Sequence, residues 1–104
     1  MKTLQQYCVY EAKGFSRLIP YLLVLQYDGL YDLNDVVAAP VVKATRIKGI
    51  PVLNPKIEID AQPFFVQVEK LSALNKRNFG ELVGDFDEQF YEFTKAIDRL
   101  FSGI

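Results

Sequence analysis

DFDEQFYEFTKAIDRLFSGI, Asp85–Ile104, decides how the rest of the chain is read. Phe86, Phe90, Phe93, Ile97, Leu100 and Phe101 recur at helical spacing, while Glu88, Glu92, Lys95 and Arg99 fall opposite them. Asp85 followed three residues later by Glu88 makes a capping box, which predicts a helix starting at Asp85. Burying each aromatic of that stripe is worth roughly 1.5–3 kcal/mol, so the helix needs an apolar surface to lie on.

Working back from it, the chain offers strands. Gln5–Tyr10 alternates, with Tyr7, Val9 and Leu4 expected on one side, and Glu11–Arg17 is polar and loop-like. Tyr21–Gln26 is apolar at nearly every position, as in a strand covered on both faces. Val36–Val42 is rich in β-branched residues but carries Pro40, which places that point at an edge, a bulge or a register break. Lys43–Gly49 reads as an exposed hairpin or arm, and Ile50–Pro55, with two prolines, as extended chain. Ile57–Ile59 and Phe64–Val68 form a hairpin around Asp60-Ala61-Gln62. Leu71–Leu74 reads as a short link and Asn78–Val83 as a last strand whose ends are loosened by Gly80 and Gly84. Many short strands followed by one helix predict a mainly β fold, a small, strongly bent sheet or partly open barrel with a C-terminal α-helix packed on it. No βαβ alternation and no Gly-rich phosphate loop is present.

Composition narrows the chemistry. The 104 residues predict one domain, 1–104, and eight Phe with six Tyr fill a small core. Twelve basic against 13 acidic residues give a net charge of −1, which argues against broad electrostatic capture of nucleic acid or anionic lipid. The single cysteine, Cys8, reads as a reduced, buried core thiol, and with no signal-peptide pattern this points to the cytoplasm. Histidine is absent, which removes Ser/His/Asp and Cys/His nucleophiles and makes a zinc site unexpected. No cofactor is expected.

Function is therefore sought on a surface. Leu100-Phe101-Ser102-Gly103-Ile104 follows the helix; an apolar tip there either packs down behind a Gly cap or is presented to a partner. Lys43, Arg46 and Lys48 could each touch phosphate, or form an ordinary solvated loop. Asp28, Asp32 and Asp35, flanked by Tyr27 and Tyr31, could surround a cation, although turn formation accounts for them. Asp85, Asp87 and Glu88 suit the positive end of the helix dipole.

Ile97–Ile104 is similar to the ending of the CcdB family of gyrase-poisoning toxins, which stop on an apolar helix followed by Gly-Ile. Further echoes are Gln26-Tyr27-Asp28-Gly29-Leu30, Val41-Val42 after Pro40, Leu53-Asn54-Pro55 entering the hairpin and Val83-Gly84-Asp85 entering the helix. The resemblance runs from about Tyr7 to Ile104. It implies an SH3-like, CcdB-like barrel forming a homodimer, a type II toxin that binds the A chain of DNA gyrase and traps the enzyme on cleaved DNA without covalent chemistry. The last three positions would carry the contact, here Ser102, Gly103 and Ile104, with Leu100 and Phe101 supporting the helix end. It also implies a cognate antitoxin whose disordered C-terminal segment wraps the toxin, repression of the shared operon, and a part in plasmid maintenance. The best-known members carry Trp where this chain has Ser102.

Two other readings share the fold. One is an endoribonuclease toxin resembling the MazF and Kid families, which would need an arginine for the phosphorane and a nearby proton acceptor and donor. Arg17 with Ser16, or Arg46 with Thr45, are its suggestive pairs. The other is a degenerate, non-poisoning family member that acts in antitoxin binding and operon repression.

Overall fold

The computed structural model describes residues 3–30 and 33–103. Seven strands precede one helix: β1 Cys8–Ala12, β2 Tyr21–Val24, β3 Asp35–Lys43, β4 Lys56–Ile59, β5 Gln62–Val66, β6 Ser72–Asn75, β7 Phe79–Asp85 and α1 Phe90–Ser102. The strands form one antiparallel sheet in the order β4-β5-β3-β2-β1-β7, with β6 added beside β3. Its outer strands β4 and β7 do not pair with each other, so the curled sheet is a partly open barrel. The fold is mainly β with a C-terminal α-helix, as the sequence predicts. Among the described residues no helix is long and apolar enough to cross a membrane.

Strand β3 organises the sheet. One side pairs with β2 from Tyr21↔Val41 to Val24↔Ala38. The other side is shared: β6 covers Asp35–Ala38 and β5 covers Val41–Lys43. Pro40 falls at the seam between those two partners, so its missing N–H interrupts no ladder; its carbonyl accepts the Gln67 amide at 2.9 Å. The proline thus marks a change of partner on one side of β3, while the register with β2 runs through it unbroken.

Both faces of the sheet are covered. Val9, Leu23, Val41, Val66 and Val68 form a core beneath Phe93 and Ala96 of α1, and Ile97 and Leu100 pack at its border. Cys8, Tyr10, Leu22, Val24, Val36 and Phe79 fill the opposite side, joined there by Leu4 rather than on the Tyr7–Val9 side. The consecutive apolar residues of β2 thus serve two cores in alternation.

Several expectations are corrected. The α-helix starts at Phe90, not at Asp85. Asp85 still belongs to β7, paired with Cys8, and the Phe86 amide donates to the Tyr7 carbonyl at 2.9 Å, so the chain is held extended past the expected cap. The Asp85 carboxylate instead accepts the Asp87 amide at 2.9 Å and opens a single 3-10 turn, Asp87–Gln89, ahead of α1. Phe90 and Phe101 leave the buried stripe and are exposed.

Ile50–Pro55 is coiled rather than extended. The Asn54 amide donates to the Ile50 carbonyl at 2.9 Å, and the Asn54 side-chain oxygen accepts the Ile50 amide at 2.8 Å. Asn54 is buried and ties this loop to Glu69 at 2.7 Å, while Val52 is forced to φ +71°. Leu71–Leu74 is not a link, since β6 occupies most of it. β1 begins later than expected because Tyr7 has φ +64°. Gly80 and Gly84 lie inside the β1–β7 pairing, where the register shifts twice; a Cβ on Gly80 would sit 3.1 Å from the Glu11 Cβ.

Candidate functional site

The tip of α1 is built from the helix outward. Phe93 is 0% exposed and Ala96 is also fully enclosed, so the middle of α1 is fixed to the sheet. One turn later Leu100 is half-buried, while Phe101 is 70% exposed and Ser102 and Gly103 are exposed. Gly103 caps the helix: its φ is +71°, and its amide donates to the Arg99 carbonyl at 3.0 Å. Among the described residues beyond its chain neighbours, none comes within 4 Å of where its Cβ would be, so the backbone there is open to close approach. Ile104 lies outside the described residues. Leu100 packs at the border of the core, whereas Phe101 belongs to the exposed surface at the helix end.

A second constellation forms between the β1–β2 loop and the turn after β3. The Arg46 amide donates to the Lys43 carbonyl at 2.9 Å, folding the basic arm into a tight turn. The Leu18 amide donates to Ser16 Oγ at 3.0 Å and the Ile19 amide to the Ser16 carbonyl at 3.0 Å, folding the opposing loop. Arg17, Lys43 and Arg46 line a cavity of about 130 Å³ between these loops. Leu18 and Arg46 also belong to an adjoining cavity of about 320 Å³, bordered by Ser16, Ile47, Gln67 and Lys70. Thr45 and Lys48 line neither cavity. The two arginines named from sequence as separate candidates are thus brought to one place.

Gln67 and Lys70 were not expected there. The signal for Gln67 was present, an amide set between Val66 and Val68 in a run that is otherwise buried and apolar. Lys70 carried none, since a 3-10 turn at Val68–Lys70 brings it round.

The acidic groups separate. The Asp28 carboxylate accepts the Gln6 amide at 2.6 Å, Asp35 begins β3, and Asp32 and Tyr31 lie outside the described residues. Tyr27 is exposed. Among the described residues no group of three or more Cys, Asp or Glu could hold a metal ion. Asp28, Asp85 and Asp87 do surround Cys8 with negative charge. Burial first, and then these carboxylates, push the Cys8 thiol from 9.0 up to about 11. A thiol held protonated behind acidic groups is a poor nucleophile, in line with a packing role.

The fold has clear relatives among solved structures. A mycobacterial endoribonuclease superposes with a TM-score of 0.71 at 18% identity, covering 96% of this chain and 92% of its own. A structure described as an Mtb toxin gives 0.73 at 17% identity, covering 89% and 99%. A mycobacterial endoribonuclease in complex with its cognate antitoxin gives 0.72 at 16% identity, covering 93% of each chain. At these identities the likeness is one of fold. No curated protein matches the sequence significantly. The family model for the CcdB protein matches residues 6–103, nearly the whole chain, and on that match the chain belongs to the CcdB family.

Proposed function

We propose that this chain is the toxin of a type II toxin–antitoxin module, a single-domain protein that binds the A chain of DNA gyrase and traps the gyrase–DNA cleavage complex. The observation that carries the reading is the end of α1, where a helix anchored by Phe93 holds Phe101, Ser102 and the Gly103 cap clear of its own core. Membership of the CcdB family supports it. In this reading Ile104 anchors the contact, Gly103 admits the partner backbone, and Ser102 adds a small polar rim where a larger side chain would fill more of the interface. A homodimer presents two such tips to a symmetric target. Greater affinity for the cleaved than for the resealed complex is sufficient to hold it, and no bond is made or broken by the toxin. A cognate antitoxin neutralises the protein in the cytoplasm, and a solved relative in complex with its antitoxin supports this part.

The test is purified protein with gyrase and supercoiled plasmid. Linear plasmid released by denaturing the complex is the expected product. Deleting Ser102–Ile104 is expected to abolish it while leaving the melting temperature within a few degrees. Linear plasmid produced equally by the truncated protein would overturn the assignment of the tip.

An endoribonuclease is the second reading, favoured by the convergence of Arg17 and Arg46 beside Ser16 and by relatives bearing that activity in name. The arginines suit a phosphorane, but the residues bordering the two cavities include no carboxylate to accept the proton. Incubation with messenger RNA separates the readings: discrete cleavage abolished by Arg46→Ala supports the ribonuclease.

A further inference from the structure

We propose that the paired cavities between the β1–β2 loop and the turn after β3 form a binding site for one nucleotide unit, a phosphate ester bearing a hydrogen-bonding base. The site is distinct from the α1 tip and shares its arginines with the ribonuclease reading, but the inference needs binding alone and no cleavage.

Charge defines the first lobe. Arg17, Lys43 and Arg46 line the smaller cavity, and Lys70 lines the larger one together with Ser16. None of these four cations forms an ion pair with a described residue. In a chain with net charge −1 that is a local cluster of positive charge that no described residue neutralises by an ion pair. Arginine presents a planar fork of donors that matches phosphate oxygens, and Arg46 borders both lobes.

Gln67 defines the second lobe and carries the argument further than charge does. The residue is only 7% exposed. Its backbone is fully used, the amide donating to Pro40 and the carbonyl accepting from Lys70, both at 2.9 Å. Its side-chain amide makes no hydrogen bond to any described residue, and among the described residues no buried side-chain polar atom is left sealed from solvent without a partner. Its carboxamide therefore meets solvent through the cavity it borders. A carboxamide sets a donor beside an acceptor, the complement of a base edge. The surrounding walls of Leu18, Ile19, Val42 and Ile47 are apolar and suit a planar ring. A volume of about 320 Å³ lies at the small end of ligand sites and matches a single base with its sugar. An acidic peptide would satisfy the cations but its carboxylate side chains bring no planar ring to the apolar walls.

The test is an NMR titration of the full-length protein at low salt with UMP, CMP, AMP, GMP, uridine and inorganic phosphate, alongside a hexauridylate strand and a hexaglutamate peptide. At least one nucleotide is expected to bind more tightly than phosphate or its nucleoside, with the Gln67 side-chain amide resonances moving for the nucleotide and still for phosphate. Arg46→Gln is expected to weaken every phosphate-bearing ligand at least tenfold. Gln67→Met is expected to weaken the preferred nucleotide at least fivefold and to leave phosphate unchanged. Tighter binding of the strand than of the mononucleotide identifies single-stranded nucleic acid as the source; equal affinity identifies a free nucleotide. Unmoved Gln67 amide resonances throughout, or hexaglutamate binding as tightly as the best nucleotide, would overturn the proposal without bearing on the gyrase assay.

Discussion

The ring of Tyr7 lies 5.4 Å, centroid to centroid, from that of Phe93, tilted by 31°. The contact joins the residue just before β1 to the middle of α1 across 86 positions of sequence, and it fixes the helix that carries the tip. Phe93→Ala removes one ring of this pair and opens a cavity over Val9 and Val66. A loss of about 3–5 kcal/mol is expected, large against the stability of a domain of this size. Urea denaturation followed by circular dichroism measures it; a loss under 1 kcal/mol would mean that α1 is not held as described.

The β4–β5 turn stores a smaller strain. Asp60 and Ala61 both adopt positive φ, +52° and +64°, the pattern of a type I′ hairpin turn. Ala61 there has a Cβ that the conformation disfavours, so Ala61→Gly is expected to stabilise the protein by about 1 kcal/mol. The thermal midpoint should rise by roughly 4–8 °C for each kcal/mol gained.

Gly103 permits a test of shape rather than bulk. Space around its missing Cβ is open, so only its left-handed backbone penalises a substitution. Gly103→Asn tolerates that conformation, whereas Gly103→Val resists it. Gyrase poisoning is expected to survive better in the asparagine variant, which should lose about 1 kcal/mol or less of stability while the valine variant loses more. Equal activity in the two would show that cap geometry is irrelevant to the contact.

Cys8 makes stability depend on alkaline pH. Its folded pKa, about 11, exceeds the ordinary 9.0. Between those values the unfolded chain sheds the thiol proton while the folded chain keeps it, so stability falls as pH rises through that window. Cys8→Ala should flatten part of this decline, read as the urea midpoint at pH 9 and at pH 10.5. Alkylation of the native protein at pH 8 should be slow and become rapid only in denaturant.

How much was legible beforehand follows from which forces acted locally. The hairpin around Asp60-Ala61, the two-sided burial of β2 and the seam at Pro40 follow from alternation, apolar runs and a missing donor, all readable in place. The helix start was misplaced because its determinant is remote: Asp85 is held by pairing with Cys8, far away in sequence. Ile50–Pro55 curls for a like reason, since Asn54 answers to Glu69 and to the Val66 carbonyl. At the candidate sites, the tip was identified from its order of residues, and the basic arm from its charge. What could not be read was that Arg17 and Arg46 line one cavity, or that Gln67 borders the cavity beside it, because loop closure brings them together.

The division of β3 at Pro40 has a mechanical consequence. β3 runs unbroken, while its neighbours on one side belong to separate hairpin systems, β4–β5 and β6. The two can therefore detach like independent leaves from a common spine. Loosening β6 leaves the leaf bordering the basic cavities in place, and amide exchange should record two separate protection levels on either side of one proline.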